Sequence, residues 1–218
     1  MEKIIRVTGK GKISVKPDMI CLDITARGTY PDYEEAIRKS ADHTKLLRKT
    51  IEKSGLPGQN LKTKDFSVQS EYESYRDYND NYKKRFLGYS FYHRTEITFP
   101  NDNKQLGRTL YELARCPVDL EFSINHTVKD REKVKNTLLK KAVEDSREKA
   151  EILTGAAGVE LGQILRMDYS WGEINIKSSP IDSFEIKAMP LLGSGYDIDI
   201  EADDIDVSDT VTIEWEIK

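Results

Sequence analysis

A chain of 218 residues, 38% hydrophobic and 33% charged, has a soluble globular composition, and at this length about 70% of the unfolded surface can be buried in one generous domain or two small ones. Its net charge of −4 argues against general affinity for nucleic acid, which depends on Lys and Arg neutralising phosphates. No stretch approaches the ~20 apolar residues of a membrane helix, and the opening MEKIIRVTGKGK lacks the apolar core of a signal peptide, so the expected compartment is the cytoplasm, or the periplasm or cell surface where an export signal has been removed.

In chain order, Ile4 to Thr8 is a short β-rich run. Gly9-Lys10-Gly11 fits neither phosphate-binding glycine pattern, and a turn or bulge that lets the strand continue is expected there. Extended structure resumes from Ile13 to Thr29, interrupted at Pro17-Asp18. Ile20, Leu22, Ile24 and Ala26 alternate with Cys21, Asp23, Thr25 and Arg27, which predicts a strand with one buried face. Pro31 opens a helix, with Asp32, Glu34 and Glu35 in its first turn and Lys45, Arg48, Lys49 and Lys53 towards its end, the polarity the helix dipole favours. Ile37, Ala41, Thr44, Leu47 and Ile51 mark its inner stripe, and Gly55 stops it. Leu61 to Gln69 is the next strand, with Phe66 and Val68 facing the same way.

From Glu71 to His93 tyrosines gather, interleaved with Arg76, Lys83, Lys84 and Arg85. Asp77 to Asn81 is turn-like, so a long hairpin is predicted whose second strand runs from about Arg85 to Phe99. Tyr72, Tyr75, Tyr78, Tyr82, Arg85, Tyr89 and Tyr92 form the candidate surface. Aromatics among cations can stack on single strands or sugars; equally, tyrosines suit the exposed faces of a long hairpin or a subunit interface. The acidic net charge favours the second reading.

Asp102 with Gln105 predicts a capping box for a short helix carrying Leu106, Leu110 and Leu113, which Pro117 prevents from continuing. Val118 to Val128 is a strand whose Glu121-Phe122-Ser123-Ile124 echoes Asp65-Phe66-Ser67-Val68. A long helix follows from the N-cap Asp130, with Val134, Leu138, Ala142, Leu153 and Ala157 on one stripe and Leu139, Val143 and Ala150 widening it, ending near Gly155 and Gly158. Lys140 with Glu144, Lys141 with Asp145, and Asp145 with Lys149 are spaced for ion pairs on its wet side. Leu161 to Tyr169 is a strand, and Ser170 to Ser194 is expected to be loop with at most one short strand. The acidic stretch Tyr196 to Asp209 holds Ala202 and Ser208 where a calcium loop needs Gly and Glu. Val207 to Ile217 closes the chain as a strand, with Val211, Ile213 and Trp215 on one face.

Cys21 and Cys116 belong to no CxxC motif and are expected to be unpaired, mostly buried thiols, with a disulfide or reactive thiol as the alternative. His43, His93 and His126 sit in different elements without ligand spacing, so no metal or cofactor is expected. No nucleophile-elbow, zinc-protease, P-loop or kinase motif occurs, and no catalytic residue is assigned. The predicted fold is α+β: a mixed, mainly antiparallel β-sheet packed by two long helices and one short helix, with a long Tyr-rich β-hairpin. The expectation is a single domain over 1–218, or two lobes at about 1–128 and 129–218.

Several short motifs recur in a familiar order: Val7-Thr8-Gly9-Lys10-Gly11, then Pro17-Asp18, the helix ending at Gly55, Leu61-Lys62-Thr63 before Phe66-Ser67-Val68, and Gly88-Tyr89. They continue with Phe122-Ser123-Ile124, then Ala142, Asp145, Lys149 and Ala150, Gly158 with Leu161-Gly162, and Asp206-Val207-Ser208 before Val211-Thr212-Ile213. Over nearly its whole length the chain resembles the SIMPL-domain family, a large and mostly bacterial family. The resemblance implies an α+β fold, a tendency to assemble, and links to the cell envelope and stress response. It brings no catalytic residues. The expected protein is thus a non-enzymatic homo-oligomer without cofactor, nucleic-acid partner or membrane insertion; the alternative is a module binding a polyanion or carbohydrate through the hairpin.

Overall fold

A computed structural model describes residues 3–169, 174, 176–179, 181–185 and 200–218. The chain folds as α+β, in two compact units. The first comprises Met1–Asp18, Thr127–Ser178 and Ala202–Lys218; the second comprises Met19–His126 and Ser179–Glu201.

In the first unit, β1 (Ile4–Val15), β6 (Leu161–Tyr169) and β8 (Ile205–Ile217) form an antiparallel sheet in the order β1-β8-β6, packed by α3 (Arg131–Ala157). The Asp130 carboxylate accepts a hydrogen bond from the Lys133 N–H at 2.9 Å, capping α3 as its sequence predicts, and the helix ends at Gly158. β1 runs straight through Gly9 and Gly11 with its register to β8 unbroken, so the expected turn or bulge is absent. The glycines serve close approach instead. A Cβ on Gly9 would collide with the Ala142 carbonyl oxygen, and one on Gly11 with that of Leu138. The Ser146 hydroxyl donates to the Val7 carbonyl at 3.0 Å, and the Lys10 N–H donates to Asp145 at 2.6 Å.

Leu138 and Ala142 are fully buried, but Leu153 is 52% exposed and Ala157 lies at the surface. The buried stripe runs Val134, Leu138, Ala142, Ser146, Ala150, Thr154. Each four-residue step overshoots a full turn by about 40°, so by Thr154 the sheet-facing direction has rotated roughly 120° away from the straight projection that aligned Leu153 with Ala142. Val211, Ile213 and Trp215 of β8 complete this core, as expected.

In the second unit, β2 (Met19–Tyr30), β3 (Lys62–Arg76), β4 (Tyr82–Pro100), β5 (Leu120–Thr127) and β7 (Ile181–Glu185) form a sheet in the order β3-β4-β2-β5-β7. Helices α1 (Tyr33–Lys53) and α2 (Asn103–Ala114) belong to this unit, where α1 packs against β2, β4 and α2. Leu47, Ile51, Phe91, Ile97, Leu106 and Leu113 lie in its core. The α1 stripe differs from expectation: Ala36, Ser40 and Thr50 are buried with Leu47 and Ile51, while Ile37 and Ala41 face solvent. Small side chains on the inner face let the helix approach the sheet, as on α3. Half of the predicted capping box forms. Asp102 accepts from the Lys104 and Gln105 N–H groups, but the Gln105 amide reaches the Ser54 carbonyl at 2.8 Å and so ties α2 to the end of α1.

β2 is more buried than a one-faced strand, because Cys21 and Asp23 are covered along with Ile20, Leu22 and Ile24. Phe66 is exposed whereas Phe122 is buried, so the echoed tetrapeptides pack differently. Among the described residues neither Cys21 nor Cys116 forms a disulfide. The looser segment expected over 170–194 and the first part of the acidic stretch, 196–199, lie largely outside the described residues; β7 is the strand described there.

His93 is held between two hydroxyls: Thr44 Oγ1 lies 3.0 Å from Nδ1, and Thr63 Oγ1 lies 2.9 Å from Nε2. Thr44 already donates its proton to the Ser40 carbonyl, so His93 carries its hydrogen on Nδ1 and accepts from Thr63 at Nε2. Burial pushes the imidazoles of His43, His93 and His126 below their ordinary value of 6.5.

Two outcomes follow. Gly11→Ala should lose about 1–3 kcal/mol in urea unfolding and Leu138→Ala about 2–5, whereas Leu153→Ala should stay within about 0.5. A depressed histidine value means that stability is full above about pH 6.5 and declines as pH falls through the lower folded values; urea midpoints taken from about pH 7.5 down to 5.5 should show this loss, with a shallower slope in His93→Gln.

Candidate functional site

β3 and β4 pair as one long antiparallel hairpin from Lys62↔Glu96 to Arg76↔Tyr82. At its tip, Asp77 accepts from the N–H groups of Asn79 (2.9 Å) and Asn81 (3.1 Å) and pairs with Lys83 at 2.9 Å. The Lys83 contact and these backbone donors hold the Asp77 carboxyl below the usual aspartate range.

The decisive feature lies between Glu71↔Gly88 and Tyr72↔Phe86, where Leu87 is an extra residue on β4. Strand alternation alone would put Phe86 and Tyr89, three residues apart, on opposite faces; the bulge returns them to the same face. Gly88 makes this possible with φ of 139°, and a Cβ there would strike the Tyr30 carbonyl oxygen. Tyr33 of α1 meets Tyr89 edge to face at 5.6 Å, Tyr89 meets Phe86 at 5.4 Å, and Phe86 meets Tyr72 at 5.5 Å. These four rings form a continuous ladder, and Tyr82 lies further along the same face with the Arg76 guanidinium 4.6 Å above its ring. Tyr30 stacks on the buried Phe91 at the base of the ladder, and burial together with the nearby Glu35 carboxylate raises its phenol above the ordinary value.

Of the residues singled out in the sequence, Tyr72, Tyr82 and Tyr89 share this face. Tyr75 and Arg85 lie on the opposite face, where Arg85 pairs with Glu73, and Tyr78 stands almost fully exposed at the tip. Tyr92 also lies on the opposite face, with Arg27 5.3 Å from its ring centre. Sequence reasoning missed Phe86 and Tyr33. Gly88 was the available signal, because a glycine inside a strand pattern suggests a bulge and hence a change of face. The hairpin cations are largely engaged: Arg76 by Asp80 at 2.8 Å, Lys83 by Asp77, and Arg85 by Glu73.

A second cluster joins Cys21, Asp23 and Glu96, whose ligand-type atoms lie within 4.8 Å of one another. Asp23 stands directly opposite Glu96 across β2 and β4, an arrangement of like charges that needs compensation. Arg94 (3.1 Å) and Asn125 (3.1 Å) bind Asp23, and Lys64 (2.8 Å) binds Glu96. The two carboxylates are thus matched by two cations, so the cluster is a charge-compensated network rather than a vacant ligand set.

A family model described as SIMPL, protein of unknown function (DUF541), matches residues 5–215. The 26 kDa periplasmic immunogenic protein of Brucella melitensis is 26% identical over 164 residues, covering 75% of this chain, and its namesake in Brucella abortus gives the same figures. The aligned part spans 65% of the length of these curated relatives.

Gly88→Ala should break the bulge that aims the ladder. The expected result is a loss of about 1–3 kcal/mol in urea unfolding, accompanied by a changed near-ultraviolet tyrosine signal.

Proposed function

The chain belongs to the SIMPL family, whose function is unknown, and from that premise we propose a non-enzymatic protein that associates with copies of itself through the aromatic face of its β3–β4 hairpin. The observation that carries this reading is the ladder of Tyr33, Tyr89, Phe86 and Tyr72, which continues from the covered part of the sheet onto an exposed one. Rings left in water on a rigid strand pair offer apolar area at small entropic cost, which suits a subunit contact. A polyanion-binding role draws less support, because Arg76, Lys83 and Arg85 already serve carboxylates of the same hairpin.

The relatives' name supports a periplasmic or cell-surface setting over the cytoplasmic one. No helix among the described residues is long and apolar enough to cross a membrane.

Size-exclusion chromatography with light scattering tests the association. A multiple of the 25.0 kDa chain mass is expected, falling to the single-chain mass in the Tyr72→Ser/Phe86→Ser variant. A wild-type chain that stays monomeric at high concentration would overturn the proposal.

A further inference from the structure

Resting on that reading of the hairpin, the geometry points to a specific partner arrangement: two copies pack their hairpin faces together about a two-fold axis, with the tip of each hairpin against the acidic first turn of the other copy's α1. Three observations carry it.

The first is spacing. On β3, Ser70, Tyr72 and Ser74 face Tyr89, Phe86 and Lys84 respectively. The aromatic pair Tyr72/Phe86 therefore stands midway, two strand positions or roughly 7 Å from each neighbouring level. An axis through the middle level lays each Tyr72/Phe86 pair on its counterpart and brings Lys84 onto the level of the partner subunit's Tyr89.

The second is charge. Towards the tip this face carries Lys84 and Arg76; Asp80 already holds the Arg76 guanidinium at 2.8 Å, so the charge pairing rests on Lys84. At the other end, Tyr33 touches Tyr89 and is flanked in sequence by the N-cap Asp32 and by Glu34 and Glu35 in the first turn of α1, with Glu35 3.9 Å from Arg38. The Lys84 cation at one end and carboxylates at the other become complementary only when the two copies run antiparallel. A two-fold contact makes each such pairing twice.

The third is area. Tyr33, Tyr72, Phe86 and Tyr82 are 54%, 55%, 47% and 74% exposed. At roughly 200 Å² per ring they offer about 450 Å², more than half of the ~800 Å² a partner contributes to a standard interface. Ser74, Lys84, Glu34 and Glu35 supply a polar rim of the kind such interfaces have.

Charge-reversed chains test this arrangement apart from self-association in general. Lys84→Glu alone should weaken dimerisation at least tenfold, and so should Glu34→Lys/Glu35→Lys, because each places like charges together at both ends. Mixing the two variant chains should restore dimers to near wild-type affinity, since every reversed end then meets its opposite. Light scattering on the separate and mixed proteins, with circular dichroism melts to show that each is folded, reads the result. Wild-type dimers that tolerate Lys84→Glu, or mixtures no more associated than their components, would overturn the arrangement while leaving self-association standing. A monomeric wild type would remove both.

Discussion

The first unit depends on how closely α3 lies on β1. At Gly9 and Gly11 the helix carbonyls of Ala142 and Leu138 occupy the space that a side chain would need. The contact is then fastened by polar groups: Ser146 to the Val7 carbonyl, and the Lys10 N–H to Asp145, which Lys149 holds at 2.7 Å. Such an interface has little freedom to repack. Any added methyl meets backbone, which moves less readily than a side chain. This also explains why the buried stripe of the longest helix contains Ala142, Ser146, Ala150 and Thr154, while Ile152 and Leu153 face solvent.

The second unit is built on larger side chains, and one face of its sheet carries both stability and the candidate surface. Phe91 and His93 lie under α1, and Tyr89 emerges at its amino end. Beyond that point, among the described residues, the hairpin continues without a helix above it. The Leu87 bulge keeps Phe86 and Tyr72 on the face that α1 would have covered. The aromatic ladder is therefore a core face that outruns its cover. The opposite face is handled differently, with Asp23, Glu96, Arg94 and Lys64 neutralising one another across the strands.

Local periodicity and punctuation made much of this legible in the sequence. The caps at Asp102 and Asp130, the hairpin turn at Asp77 to Asn81 and the inward face of β8 all follow from rules acting within a few residues. The errors arose where a distant backbone decides. Gly9 and Gly11 suggested a turn because a helix about 130 residues away cannot be seen from the strand. A straight helical projection places Leu153 inside because it ignores the rotation of a stripe that follows four-residue steps. The Cys21, Asp23 and Glu96 cluster was invisible for a similar reason, since its members meet only through the pairing of β2 with β4. Yet two of the motifs carrying the family resemblance meet in one contact: Gly9-Lys10-Gly11 meets Ala142 and Asp145 directly.

The distribution of these constraints separates folding from association. Among the described residues, the hairpin between Tyr72 and Phe86 contributes nothing to the buried clusters. Strand propensity alone would be met equally well by Thr or Val, which leave less ring surface in water. Solubility would favour more of the charged pairs seen on the other face of the same strands. Rings at exposed positions of a rigid hairpin, aimed to one side by a bulge that needs glycine, support one another edge to face yet leave more apolar surface in water than strand pairing needs. The subunit contact proposed above would cover that surface. The ion pairs on the back of the hairpin leave charged rather than apolar surface there.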